Sequence, residues 1–210
     1  MMKRREFTLA LAGATALPAL AQQRFEPGKD YLPLDKPAPV EAPAGKIEVV
    51  EFFWYNCPHC NAFEPALEAW IKRAPKDVVV KRVPVAFSSA FQGQQRLFYT
   101  LEAMGLVDKL HGKVFQAIHV ERKRLEAPEV IADWAAAQGV DKAKFLEQFN
   151  SFSVASKVTR AGQLTAAYKV EGVPALGVAG RFYTDATLTR NMDRSLQVVD
   201  YLVGEVRKGR

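Results

Sequence analysis

The chain's two cysteines stand three residues apart, at Cys57-Pro58-His59-Cys60, and what surrounds them constrains the fold more than any other feature. Ile47 to Trp54 is a nearly continuous run of β-branched and aromatic residues, the mark of a buried strand. From Pro58 onward the pattern turns helical, with Phe63, Leu67, Trp70 and Ile71 at i, i+4, i+7 and i+8. The dithiol therefore opens a helix directly after a strand. Pro58 suits the first helical position, whose N–H has no partner in any case, and Pro65 is expected to kink the helix. Val78 to Val85 reads as a second strand. Strand, helix and strand so close together make a right-handed βαβ unit with a parallel pair.

The rest of the chain fits around that unit. Residues 22–45 carry Pro27, Pro33, Pro37, Pro39 and Pro43, which predicts an extended, loop-like lead-in with Tyr31-Leu32 as an edge strand. Residues 92–169 read as helices alone. Leu97, Leu101 and Met104 share one face, Gly105 and Gly139 can stop helices, and Asp141 can cap the helix carrying Phe145, Leu146 and Phe149. Strand character returns at Pro174 to Val178 and Arg181 to Thr184, joined at Gly180 as a hairpin. A final amphipathic helix turns Leu196, Val199, Leu202, Val203 and Val206 inward. A βαβ unit, a helical block and a ββα unit, in that order, predict an α/β thioredoxin fold interrupted by an all-helical insertion. The segments are 22–88, 89–165 and 166–210. A length of 210 residues, 49% of them hydrophobic and 25% charged, suits one domain carrying an insertion and excludes disorder or collagen-like repeats.

Residues 1–21 have the form of an export signal. Lys3, Arg4 and Arg5 precede an apolar run from Leu9 to Leu20, and Ala19-Leu20-Ala21 is a small-x-small cleavage site. Gly13 and Pro18 spoil a buried helix here, and the run is too short to span a bilayer. The adjacent arginines followed by Glu6-Phe7-Thr8-Leu9 fit the twin-arginine route, though a basic start serves the general route equally. Cleavage after Ala21 would lower the formal charge of +6, leaving a mildly basic surface that is not a nucleic-acid signal. The mature protein is expected outside the cytoplasm, where disulfides persist.

At a helix N-terminus, unpaired N–H groups and the macrodipole favour an anion, and His59 adds a positive group beside Cys57. Each lowers the Cys57 pKa. A stabilised thiolate stabilises the reduced form, so the disulfide becomes a stronger oxidant, by about 30 mV for each pKa unit in a two-electron couple. A static structural bond is the poorer reading, because closing so short a loop removes little chain entropy. A zinc site wants four ligands, and His111 and His119 stand apart in a helical stretch, where they read as surface or packing residues. No metal and no cofactor is expected. Glu51 shares a strand face with Val49 and Phe53, so its carboxyl should be desolvated and its pKa raised. Lys81 lies between Val79 and Val83 on the second strand, and the two charges are expected to meet beneath the dithiol. Glu51 would then pass a proton to or from Cys60 with Lys81 tuning it; an ion pair at the sheet margin explains the same two residues as well. Pro174 alone reads as a strand-start proline. A cis bond there would hold the Val173 backbone open to an extended substrate chain.

Taken together, Glu51-Phe52-Phe53, Cys57-Pro58-His59-Cys60 with Phe63 and Glu64, and Gly172-Val173-Pro174-Ala175 resemble the DsbA family of exported, disulfide-donating oxidoreductases. The resemblance covers most of the chain after the leader. Pro-His between the cysteines is its specific element, since thioredoxin-like reductases usually carry Gly-Pro there. It implies Cys57 as nucleophile, Cys60 as the buried resolving thiol and Val173-Pro174 as a cis-proline pair facing them. It implies Glu51 and Lys81 at proton-relay positions and an oxidising couple. By the same resemblance the protein is a periplasmic monomer. Its partners are exported proteins with reduced cysteines and a DsbB-type membrane quinone reductase that reoxidises it. Trp54 and Asn61 flank the motif where other aromatics are common in the family. Isomerases or reductases of the DsbC and DsbG type carry an N-terminal dimerisation domain that residues 22–45 are too short to supply. The intact dithiol argues against a noncatalytic thioredoxin-fold binding module or chaperone. Kappa-class glutathione transferases share the split topology but usually lack the second cysteine and the leader.

Overall fold

The structure, a computed structural model, describes residues 25–209; the expected export signal lies outside them. A short strand β1 (Leu32–Pro33) is followed by β2 (Ile47–Phe53), α1 (Pro58–Arg73) and β3 (Val78–Pro84). A 3-10 turn (Ser89–Phe91) then leads into α2 (Gln92–Ala103), α3 (Val107–His119), α4 (Pro128–Ala137), α5 (Lys142–Phe149) and α6 (Phe152–Ala167). The chain returns through β4 (Ala175–Val178) and β5 (Phe182–Asp185), a single turn α7 (Ala186–Thr189) and the final α8 (Met192–Arg207). The last inserted helix thus continues two residues past the boundary expected at 165.

The five strands form one sheet in the order β1-β5-β4-β2-β3. β2 and β3 run parallel, as the βαβ reading requires, and β4 pairs antiparallel with both β2 and β5. All seven residues of β2 are buried, which explains a strand without polar alternation. Its two faces serve different layers. Val49 packs with Phe63, Leu67 and Trp70 of α1 and with Leu196, Val199, Leu202 and Val203 of α8. Val50 and Phe52 face the other way, toward a larger core built with Leu97, Leu101, Leu110, Phe145 and Leu164 of the inserted helices. The inserted helices therefore supply much of the larger core and none of the buried residues of the smaller one.

Local signals account for the boundaries. Asp141 caps α5 by accepting the Lys144 N–H at 2.9 Å. Gly105 and Gly139 adopt positive φ just past α2 and α4. At the β4–β5 hairpin Gly180 has φ +66°, and a Cβ there would lie 2.4 Å from the Ala38 carbonyl oxygen, so no other residue fits without movement. Helix α1 runs without interruption through Pro65.

Candidate active site

The carboxyl end of β2 hands the chain to α1 through Trp54, Tyr55 and Asn56. Cys57 is the N-cap of α1 in extended conformation and Pro58 is the first helical residue, so the sulfur sits where the helix presents unpaired N–H groups. Both cysteines are free thiols in this structure. Cys57 is 7% exposed and Cys60 is fully buried. The Cys60 thiol, donating to Cys57, is the largest influence lowering the Cys57 pKa. Burial opposes it, and the backbone N–H groups of Cys60 and His59 and the His59 charge assist it. The result is about 6. Burial pushes the Cys60 thiol far up instead, and the charges of Cys57 and Glu51 add to that. Two sulfurs one helical turn apart are driven in opposite directions.

Facing them, the Val173–Pro174 peptide bond is cis. The Cys57 thiol donates to the Val173 carbonyl oxygen at 3.4 Å, and β4 begins at the next residue but one. Pro58 and His59 are exposed. An open groove of about 530 Å³ runs away from the motif between His59, Phe63 and Ala66 on one side and Pro174, Arg190 and Met192 on the other. On the opposite flank Trp54 packs its ring against Phe91 with centroids 4.4 Å apart, and the Gln94 side-chain amide donates to Asn56 Oδ1 at 2.7 Å. Asn61 is half-buried on α1 and its N–H bonds the Cys57 carbonyl.

Under the dithiol lies a buried charge cluster. Glu51 is completely buried. Burial is the main cause pushing its pKa up, the Glu64 charge adds, and Arg82 opposes, leaving it at about 8. Arg82 Nε donates to Glu51 Oε2 at 3.1 Å, and its Nη2 donates to Glu64 Oε1 at 2.9 Å and to Glu68 Oε1. Here the structure corrects the expected Glu51–Lys81 pair. The β2–β3 register sets Glu51 opposite Arg82 and Val50 opposite Lys81, so Lys81 points to the other face of the sheet. Its Nζ binds Glu41 Oε2 at 2.9 Å. In a parallel pair, shifting by one residue exchanges the two faces.

Several residues around the motif were not assigned a catalytic role from the sequence. Arg82 was overlooked beside Lys81. Glu64 carries a signal that could have found it, because it follows Cys60 by four residues and so shares its helix face. His111, expected to be a surface or packing residue, does pack, buried edge-on against Phe53, Phe98 and Phe115, and in addition its Nδ1 lies 2.8 Å from Tyr55 Oη. His119 Nε2–H donates to the Tyr55 carbonyl oxygen at 2.7 Å. All three histidines of the chain thus gather around the motif, two of them from α3.

Fold and sulfur pair together define a dithiol–disulfide oxidoreductase of the thioredoxin class. A family model described as a DSBA-like thioredoxin domain matches residues 80–197. The thiol:disulfide interchange protein DsbA of Bordetella pertussis is 48% identical over 212 residues, with 99% of this chain and 100% of that one covered. The DsbA of Burkholderia cepacia is 42% identical, covering 95% and 94%. The crystal structure of Pseudomonas aeruginosa DsbA superimposes with a TM-score of 0.83 at 43% identity, covering 88% of this chain and 96% of that one. This chain belongs to the DsbA family, and it is a protein disulfide oxidoreductase.

Proposed function

We propose that the protein donates its Cys57–Cys60 disulfide to newly exported proteins in the periplasm, acting as a monomer. A substrate thiolate attacks Cys57 Sγ, the Cys57–Cys60 bond breaks, and its electron pair leaves on Cys60. Cys60 cannot stay ionised where it is buried, so it takes a proton from Glu51, which becomes a carboxylate. The substrate's second thiolate then attacks its own sulfur in the mixed disulfide. Cys57 departs as a thiolate, its low pKa making it a good leaving group. The reaction ends with an oxidised substrate and a reduced protein. The Val173 carbonyl beside Cys57 and the groove beyond it offer a place for an extended substrate chain. A DsbB-type membrane quinone reductase would take the two electrons away and restore the disulfide. Among the described residues no helix is long and apolar enough to cross a membrane.

The opposed ionisation of the two sulfurs is what supports donation over reduction. The thiol favoured as an anion is the outer one that substrate reaches. Equilibrating the purified protein against glutathione buffers tests this. A couple as reducing as thioredoxin's would sink the donor reading, whereas a strongly oxidising one supports it. The relay has its own check in Glu51→Gln, which should change the pH dependence of exchange while leaving the Cys57 thiolate titration in place. An unchanged profile eliminates Glu51 as the proton donor.

A further inference from the structure

His111 belongs to the inserted block, yet its ring lies in the cluster below the dithiol. It is 4% exposed, with Tyr55 Oη 2.8 Å from Nδ1 and Glu64 Oε1 3.3 Å from Nε2. A carboxylate at that distance favours an N–H on Nε2, which leaves Nδ1 to accept from the Tyr55 hydroxyl. The contact with Glu64 Oε1 is electrostatic more than a formed hydrogen bond, since His111 Nε2 is buried without a hydrogen-bond partner. The groups that face one another here come from four elements. Glu51 and Tyr55 stand on and just after β2, Cys60, Glu64 and Glu68 on α1, Arg82 on β3, and His111 on α3.

One guanidinium faces two buried carboxylates, Glu51 and Glu64, while the Glu68 side chain is 43% exposed at the margin; in so dry a place it cannot neutralise both buried ones. A proton must be held within the group, and local support decides where. Glu64 has two sources of support, Arg82 Nη2 at 2.9 Å and His111. Glu51 has Arg82 Nε alone and is the more deeply buried of the two; each carboxyl also has one buried oxygen without a hydrogen-bond partner.

We propose that His111 is a positioning residue which, by supporting the Glu64 carboxylate, keeps the shared proton on Glu51, where Cys60 can receive it as the disulfide opens. The ionisation of the two carboxyls agrees with this. Burial opposes ionisation of Glu64, but His111 first and then Arg82 hold its pKa below the usual carboxylate value. After burial, the Glu64 charge is the largest cause raising Glu51. The inference rests on the donor mechanism proposed above and assigns the residue that sets its proton source. It also gives the helical block a part in the chemistry through a side chain that touches neither sulfur.

The test is a pH profile of single-turnover exchange between the oxidised protein and a reduced two-cysteine peptide. Removing the imidazole in His111→Phe weakens the Glu64 charge and relaxes its repulsion of Glu51. The Glu51-dependent limb should then move toward acid by about one pH unit, the scale on which a neighbouring charge acts. Glu64→Gln should shift it the same way, and adding His111→Phe to Glu64→Gln should shift it no further. His111→Gln keeps an N–H donor and should move the limb less than His111→Phe. Cooperative thermal unfolding of each variant keeps a folding defect from passing as an effect. A wild-type limb in both His111 variants overturns the assignment, as does a His111→Phe shift that persists undiminished in the Glu64→Gln background. If Glu51→Gln abolishes the limb while His111→Phe leaves it in place, the His111 assignment fails and the relay stands. If Glu51→Gln leaves the limb untouched, the relay fails and takes the assignment with it.

Discussion

Lys81 and Arg82 are adjacent basic residues on one strand, and their side chains lie on opposite faces of the sheet. Lys81 turns toward the inserted helices and pairs with a half-exposed glutamate in a crevice also lined by Glu102, Lys157 and Arg160. Arg82 turns toward α1, is 13% exposed in its side chain, and bonds three carboxylates. The same charge is thus a solvated surface pair on one side and the counter-ion of a buried cluster on the other. Burial, and not charge, decides which of the two matters.

That contrast is open to attack, and the largest effect should come from Arg82→Met. Leaving buried carboxylates without their guanidinium should cost about 3–5 kcal/mol in denaturant unfolding of the oxidised protein. A loss below 1 kcal/mol would show that the cluster is wetter than its burial indicates. On the insertion side the limit is packing. A Cβ on Gly177 would lie 2.3 Å from the Tyr168 ring, so Gly177→Ala should lose about 1–3 kcal/mol, read by the same unfolding curves.

The dithiol side should respond to pH instead. The Cys57 pKa is about 6 in the folded, reduced protein, below its ordinary thiol value, so ionisation favours the folded state. The contribution is complete above the unfolded thiol value, near 8.5 to 9. It declines as the pH falls and is gone once the pH has dropped through about 6. At pH 7 it amounts to about 1.4 kcal/mol before solvent screening reduces it. Paired melts of the reduced and oxidised protein should show the reduced form gaining on the oxidised between pH 5 and pH 8. A pH-independent gap would contradict the depressed thiol. The smallest effect belongs to Lys81→Met, at about 0–1 kcal/mol with exchange kinetics unchanged. A clear loss of exchange there would return Lys81 to the site.

Much of this arrangement could be read from the chain. The strand before Cys57, the helix after it and the hairpin at Gly180 follow from apolar spacing and turn residues, because each is a local pattern. The charge beneath the sulfurs was legible only in part. Glu51 interrupts an otherwise apolar buried strand and so announces itself. Its partner does not, because β3 is an edge strand whose two faces read Val78, Val80, Arg82 and Val79, Lys81, Val83. Either face looks apolar enough to be the inner one, and the register that decides between them is a long-range property of the sheet. His111 was hidden for a different reason. Its partners Tyr55 and Glu64 lie far from it in sequence, and only the docking of α3 against α1 and the end of β2 brings them together.

Tyr55 is clasped at both ends by α3, its hydroxyl by His111 and its carbonyl by His119, two residues before Cys57. Swapping helical blocks between relatives would therefore not be a neutral graft. A chimera that kept every residue from Glu51 to Cys60 but took its third helix from elsewhere would still carry a foreign grip on the loop leading to the nucleophile. Its catalytic behaviour should follow the donor of the helices as well as the donor of the cysteines.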